Sequence, residues 1–146
     1  MNNIESSTVF KYTGYLINKS LHDIDHEESI IEPELGGNSI NWILGHLVVS
    51  KDDVLKDLGL ESLGNKEYEK NYERGTKPDP KCAIKLEEIL KLFNEGHEKV
   101  MKALEENPVT DEEKRQNIIF LAFHEAYHCG QIGLLRRVLG KESIVK

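Results

Sequence analysis

Residues 110–140, TDEEKRQNIIFLAFHEAYHCGQIGLLRRVLG, hold the most clearly bounded helix of the chain and its densest cluster of chemistry-bearing side chains. Thr110 and Glu113 stand at capping-box spacing ahead of an apolar run, and Gly140 stands where a helix commonly terminates. Arg136 and Arg137 suit the negative end of the helix dipole, so a helix is expected over about Asp111 to Leu139. At roughly 100° per residue, Asn117, Leu121, His124, His128, Gln131, Leu135 and Val138 fall on one stripe, which the spacing predicts to face inward. His124 and His128 interrupt it at i, i+4 spacing, from which both imidazoles reach one ion. Buried imidazoles need partners, and two of them beside Gln131 and Asn117 form a costly layer unless something organises it. A metal ion does so, with Gln131 and Asn117 supporting the ligands or touching a bound water. A hydrogen-bonded polar layer inside the bundle is the alternative.

Three more helices precede this one. The first is expected from about Ser7 to His26, with Phe10, Ile17, Leu21 and Ile24 on one face. The second begins near Asn38 and Ser39, both good N-caps, and runs to about Leu58 before Gly59; the third covers about Cys82 to Glu106. No strand pattern competes, so the fold class is all-α, a four-helix bundle. The link from Gly59 to Lys81 carries Gly64, Gly75, Pro78 and Pro80 and far exceeds the ~2–8 residues usual between bundle helices. It is expected to run the length of the bundle, giving an up-down-down-up arrangement with a long crossover between the second and third helices. Tyr68 and Tyr72 within it are expected to pack against the bundle.

The second helix supplies a third histidine in Asn41-Trp42-Ile43-Leu44-Gly45-His46, on a stripe with Trp42, Val49 and Asp53. Alone, His46 reads as readily as a satisfied core residue; its place opposite His124 and His128 is what makes it a candidate ligand. His22 and His26 have the same i, i+4 spacing but lie roughly 130–170° from the apolar stripe of the first helix, so they are expected to face solvent. His97 shares a stripe with Leu86, Phe93, Val100 and Leu104 and is either a fourth ligand or a core histidine. Three imidazoles on a four-coordinate ion leave an open position, the mark of a catalytic site. A thiol or water bound there loses its proton more readily, which permits thiol transfer or hydrolysis. Glu125 overlaps the His-Glu-x-x-His pattern of zinc proteases and is a candidate general base, with a surface salt bridge as the alternative. The absence of a strand to align a peptide argues against a protease. Asp53 is either a carboxylate supporting His46 or a solvated charge.

Asn41-Trp42-Ile43-Leu44-Gly45-His46, followed far downstream by His124-Glu125-Ala126-Tyr127-His128-Cys129-Gly130-Gln131, resembles the DinB/YfiT-like superfamily. The resemblance implies a four-helix bundle, usually a homodimer, whose three histidines bind zinc, nickel, iron or another divalent ion. His46, His124 and His128 fall on the family's ligand positions and Gln131 on its usual glutamine position. Some relatives are thiol-dependent transferases or isomerases that use bacillithiol or mycothiol, so a low-molecular-weight thiol cofactor is a further implication. The family name derives from induction by DNA damage and implies no contact with DNA.

Composition agrees with this picture. The 146 residues suit one domain, 1–146, with 38% hydrophobic and 31% charged residues. A formal net charge of −7 without a basic stripe excludes nucleic acid as an expected partner. No run approaches the roughly 20 apolar residues of a membrane span, and the N-terminus lacks a basic segment followed by an apolar one, so a cytoplasmic protein without a membrane partner is expected. Cys82 and Cys129 lie far apart without CxxC spacing and suggest neither a disulfide framework nor a cysteine metal site. Ile119, Ala122, Ala126, Gly130 and Gly133 form a stripe of mostly small residues, suited either to a dimer interface or to close packing inside the bundle. The leading expectation is a metal-dependent thiol transferase or hydrolase acting on a small molecule. Its rival is a non-catalytic stress-response module that holds a metal and a ligand.

Overall fold

The computed structural model describes residues 4–64 and 66–146; Met1–Asn3, where the N-terminal reading begins, lie outside the described residues. Six helices follow in order: α1 (Ile4–Leu21), α2 (His26–Ser29), α3 (Ile40–Asp57), α4 (Lys66–Tyr72), α5 (Leu86–Glu106) and α6 (Glu112–Val138). Both α1 and α3 pack against α5 and α6, and among the described residues the α1 and α3 backbones do not approach each other closely. Contacts between side chains give the directions. Thr13 meets Glu125 and Ser20 meets Arg136, so α1 and α6 run parallel. His46 meets His124 while Asp57 meets Asn117, so α3 and α6 are antiparallel. Asn18 meets Asn94 and Gly14 meets His97, so α1 and α5 are antiparallel. The bundle is therefore up-down-down-up, and the parallel pair α3 and α5 requires the long crossover that the sequence predicts.

The helix ends show where local chemistry differs from expectation. Ser39 caps α3 by accepting from the Trp42 N–H at 3.2 Å, and Gly59, at φ 72°, ends it. Asp111 rather than Thr110 caps α6, accepting from the Lys114 N–H at 3.1 Å. The first helix stops at Leu21, not His26, because Asp25 and Glu28 form a reciprocal capping box that starts α2 afresh. His22 is exposed as expected, whereas His26 is half-buried, and its Nδ1 accepts from the Leu86 N–H at 3.2 Å. That bond satisfies an orphan donor at the start of α5, where Lys85 offers no side-chain cap. Helix α5 begins at Leu86 instead of Cys82 because tertiary partners take the Ile84 backbone. Asn41 Nδ2 donates to the Ile84 carbonyl at 2.9 Å, and the Ile84 N–H donates to Tyr72 Oη at 2.9 Å.

The crossover docks as expected through α4, with Tyr68 and Tyr72 buried in the core that holds Ile43, Leu47, Ile89 and Phe93. Tyr72 lies flat on Gly45, where a Cβ would stand only 2.3 Å from the ring. At the opposite side of the bundle, Arg136 is buried against α1. Its guanidinium donates to the Ser20 carbonyl at 2.6 Å and pairs with Asp23, so this arginine fastens the end of α1 beyond serving the dipole of α6. No helix among the described residues is long and apolar enough to cross a membrane.

Candidate metal centre

Antiparallel packing of α3 on α6 brings His46 opposite His124 and His128, with ligand nitrogens all within 4.8 Å of one another. His124 Nε2 stands 3.2 Å from His46 Nε2 and 3.1 Å from His128 Nε2. The outer nitrogens decide what these contacts are. His46 Nδ1–H donates to the Tyr72 carbonyl at 2.8 Å, and His128 Nδ1–H donates to Gln131 Oε1 at 2.7 Å. A carbonyl only accepts, so in the neutral rings the protons sit on Nδ1 and both Nε2 atoms aim lone pairs at His124. His124 can place one proton between them and satisfy one of the two contacts, and its own Nδ1 is buried without a partner. Three imidazoles that converge in this way fit a cation. Two nitrogens each ~2.0–2.1 Å from a tetrahedral ion lie about 3.3 Å apart, close to the spacings seen. Outer hydrogen bonds to a carbonyl and an amide are what fixes tautomer and orientation at imidazole metal sites. Trp42 stacks on His46 with ring centroids 4.8 Å apart, while Phe120 and Tyr127 flank His124 and His128.

Burial lowers the pKa of all three rings. It pushes His124 down to about 4, with the His128 and His46 rings adding to the shift. At neutral pH the site thus presents free lone pairs. The linkage has a definite sign: below the ordinary histidine pKa near 6.5 the unfolded chain takes up a proton that folded His124 refuses until about pH 4. Ion-free protein is expected to lose stability as pH falls through that window. Urea unfolding midpoints between pH 7 and pH 4 check this, and His124→Gln should flatten the slope; an unchanged slope would show that the ring titrates normally.

Among the sequence-derived candidates, Gln131 stands where expected, bonded to His128 and donating to Tyr127 Oη at 3.3 Å. Asn117 does not. It is exposed and donates to Asp57 at 2.5 Å, away from the rings. Glu125 is also corrected: it is neither beside the histidines nor in a surface salt bridge. Its carboxylate is buried, pairs with Lys51 Nζ at 2.5 Å and accepts from Thr13 Oγ1 at 2.6 Å. His97 is a core residue packed on Gly14 and Phe93, outside the three-ring group. Asp53 is exposed, and its charge favours protonation of His46. The buried face of α6 is Ile118, Ala122, Glu125, Cys129, Ile132 and Arg136, so the stripe expected to face inward is in fact its flank. Only His128 on that stripe is buried, and Val138 is 58% exposed. Lys51 and the Tyr72 carbonyl join the candidates only in the structure; the signal for Lys51 is a lysine five residues after His46 on a face with Leu44, Leu47 and Leu55.

The family model of the DinB superfamily matches residues 10–132. The chain belongs to the DinB superfamily. The match runs from α1 to Ile132 in α6 and contains all three histidines, so a DinB assignment and the three-ring cluster agree with metal binding at one place. No curated protein gives a significant match to this DinB chain.

Proposed function

We propose that this chain holds one divalent ion, zinc, nickel or iron, through His46, His124 and His128, and uses it as a metal-dependent small-molecule enzyme of the thiol-transferase or hydrolase kind. The single observation that carries the reading is the pair of Nε2 lone pairs on His46 and His128 aimed at His124, with both outer Nδ1 protons already spent. A bound ion with an open position would supply an electrophilic centre that lowers the pKa of a thiol or water. The chain's own part is to keep the rings neutral and oriented, through the Tyr72 carbonyl and Gln131, and to offer Phe120 and Tyr127 as apolar flanks. Glu125 is engaged elsewhere, which favours thiol transfer over base-assisted hydrolysis: a thiol that ionises readily needs no protein carboxylate. The same observation supports the second reading, a non-catalytic module that holds a metal and a ligand.

Metal analysis of untagged protein tests the proposal. About one equivalent of a transition metal is expected in the wild type and none in His124→Ala, and a chelator should lower the melting temperature of the wild type alone. Metal-free wild type that is indifferent to chelator would sink the metal reading. Metal-dependent turnover across a panel of thiols and electrophiles would separate enzyme from module.

A homodimer is part of the proposal. Tyr12 and Tyr15 on α1 and Phe123 and Leu134 on α6 are between 63% and 67% exposed on adjoining parallel helices. Ala126 and Gly130 between them are exposed, and a Cβ on Gly130 would meet nothing within 4 Å, which leaves room for a second helix to approach.

A further inference from the structure

We propose that a cavity walled by Trp42 and the crossover is a second binding site, and that it takes a small organic anion with a flat apolar body. None of the three clustered histidines lines this cavity, so the inference does not depend on the metal reading.

The cavity has a volume of about 200 Å³ and lies between the start of α3 and the segment from Lys70 to Ala83. A cavity of roughly 150 Å³ holds a benzene ring, so this one has room for a ring and a small polar head. Its floor is buried: Ser39, Asn41, Trp42 and Tyr72 are each at most 5% exposed. The floor is also fixed by its own hydrogen bonds. The Trp42 indole N–H donates to Thr76 Oγ1 at 3.0 Å, while Asn41 donates to the Ile84 carbonyl and accepts from Tyr72 Oη. These walls are set before any ligand arrives, which spares the ligand the cost of ordering them.

The polar groups that the walls leave unspent select the ligand. Ser39 Oγ accepts from the Trp42 N–H, but its own O–H donates to no described residue. The half-buried Asn71 side chain and the exposed Lys70 and Lys77 line the cavity, and none of the three has a side-chain hydrogen bond or ion pair among the described residues. Against the two ammonium groups stands one lining carboxylate, Asp79, and it is already engaged. It accepts from the Lys81 N–H at 2.9 Å and from Cys82 Sγ at 3.5 Å. The lining thus carries excess positive charge and more unspent donors than acceptors, a balance that favours an anion. The hydrogen bond to Asp79 also holds the Cys82 thiol above its ordinary pKa, so Cys82 lines the cavity as a neutral thiol and not as a nucleophile. Trp42, Ile30 and Pro78 supply the apolar wall for the body of the ligand.

Benzoate titrated into the protein in the presence of a chelator tests this. Two readouts locate the binding: the fluorescence of Trp42, the one tryptophan of the chain, and the rate at which iodoacetamide alkylates the exposed Cys82. A saturable fluorescence change is expected, with protection of Cys82 at the same half-saturation, and neutral benzamide should bind about tenfold more weakly. Lys70→Gln combined with Lys77→Gln is expected to raise the Kd for benzoate about tenfold and to leave that for benzamide unchanged, because it removes charge-assisted contacts without disturbing the buried floor. Absence of saturation, saturation without protection of Cys82, equal affinity for benzamide, or a Kd indifferent to the double change would each overturn the proposal and leave the metal reading untouched.

Discussion

Lys51→Met is expected to lower folding stability by about 3–5 kcal/mol, read from urea unfolding at neutral pH, because it strips the counter-charge from a carboxylate over which the bundle has closed. The Lys51 and Glu125 side chains are 0% and 4% exposed, with Nζ 2.5 Å from Oε2. Burial alone pushes the Lys51 ammonium towards its neutral form, and Glu125 opposes that. The faces of Phe10 and Phe93 lie 4.3 Å and 5.1 Å from the ammonium and share in holding its charge. The pair itself is not expected to be a large source of stability, since desolvating two charges offsets most of their attraction. Lys51→Met combined with Glu125→Leu is therefore expected to regain most of what the single change loses. Thr13 stays satisfied in the double variant, because its hydroxyl also bonds the Phe10 carbonyl at 3.2 Å. A single variant that loses less than about 1 kcal/mol, or a double variant no better than the single, would contradict this account of the pair.

The same pair shows why the sequence disclosed the fold more fully than the site. Helix spacing, the Ser39 cap, Gly59, Gly140 and the length of the crossover are local signals, and they placed the four long helices and the up-down-down-up order. The capping box at Asp25 and Glu28 is local as well, and it was there to be read; the apolar spacing through Ile24 outweighed it. The site required knowing which face of α6 is buried. A helix wheel assigns that face by apolarity, yet the buried face here contains Glu125 and Arg136, each neutralised by a partner far away in sequence, Lys51 and Asp23. Counting those charges as outward rotated the inferred core toward Asn117 and Val138 and left Glu125 looking available. His124 and His128 still meet His46 of α3 because they lie on the border between the two faces of α6. The three-histidine cluster was thus legible from spacing and family resemblance. The groups that orient the three rings were only half legible: Gln131 is one turn from His128, but although the crossover was expected to dock, no local pattern tells that the Tyr72 carbonyl meets His46.

Gly45→Ala is expected to weaken metal affinity about 10–100-fold, the usual effect of losing an orienting hydrogen bond, and to lower stability by about 1–3 kcal/mol through overpacking. Competition against a chromophoric chelator and urea unfolding read the two effects separately. The added Cβ would stand 2.3 Å and 2.6 Å from Tyr72 Cδ1 and Cε1, distances that a rigid ring cannot absorb. Nor can the ring swing away, because Tyr72 Oη donates to Asn41 Oδ1 at 2.8 Å and accepts from the Ile84 N–H at 2.9 Å. What yields is α4 as a unit. Lifting it draws the Tyr72 carbonyl off His46 Nδ1 and frees that ring to rotate or change tautomer. Two comparisons isolate the cause. Gly133→Ala is a helical glycine with nothing within 4 Å of the new carbon, so it should be neutral or stabilising by up to ~1 kcal/mol from helix propensity. Tyr72→Phe removes the hydroxyl bonds but keeps the backbone carbonyl, so it should lose stability while retaining metal affinity. If Tyr72→Phe lost metal as severely as Gly45→Ala, the hydroxyl network rather than the carbonyl would be what positions His46.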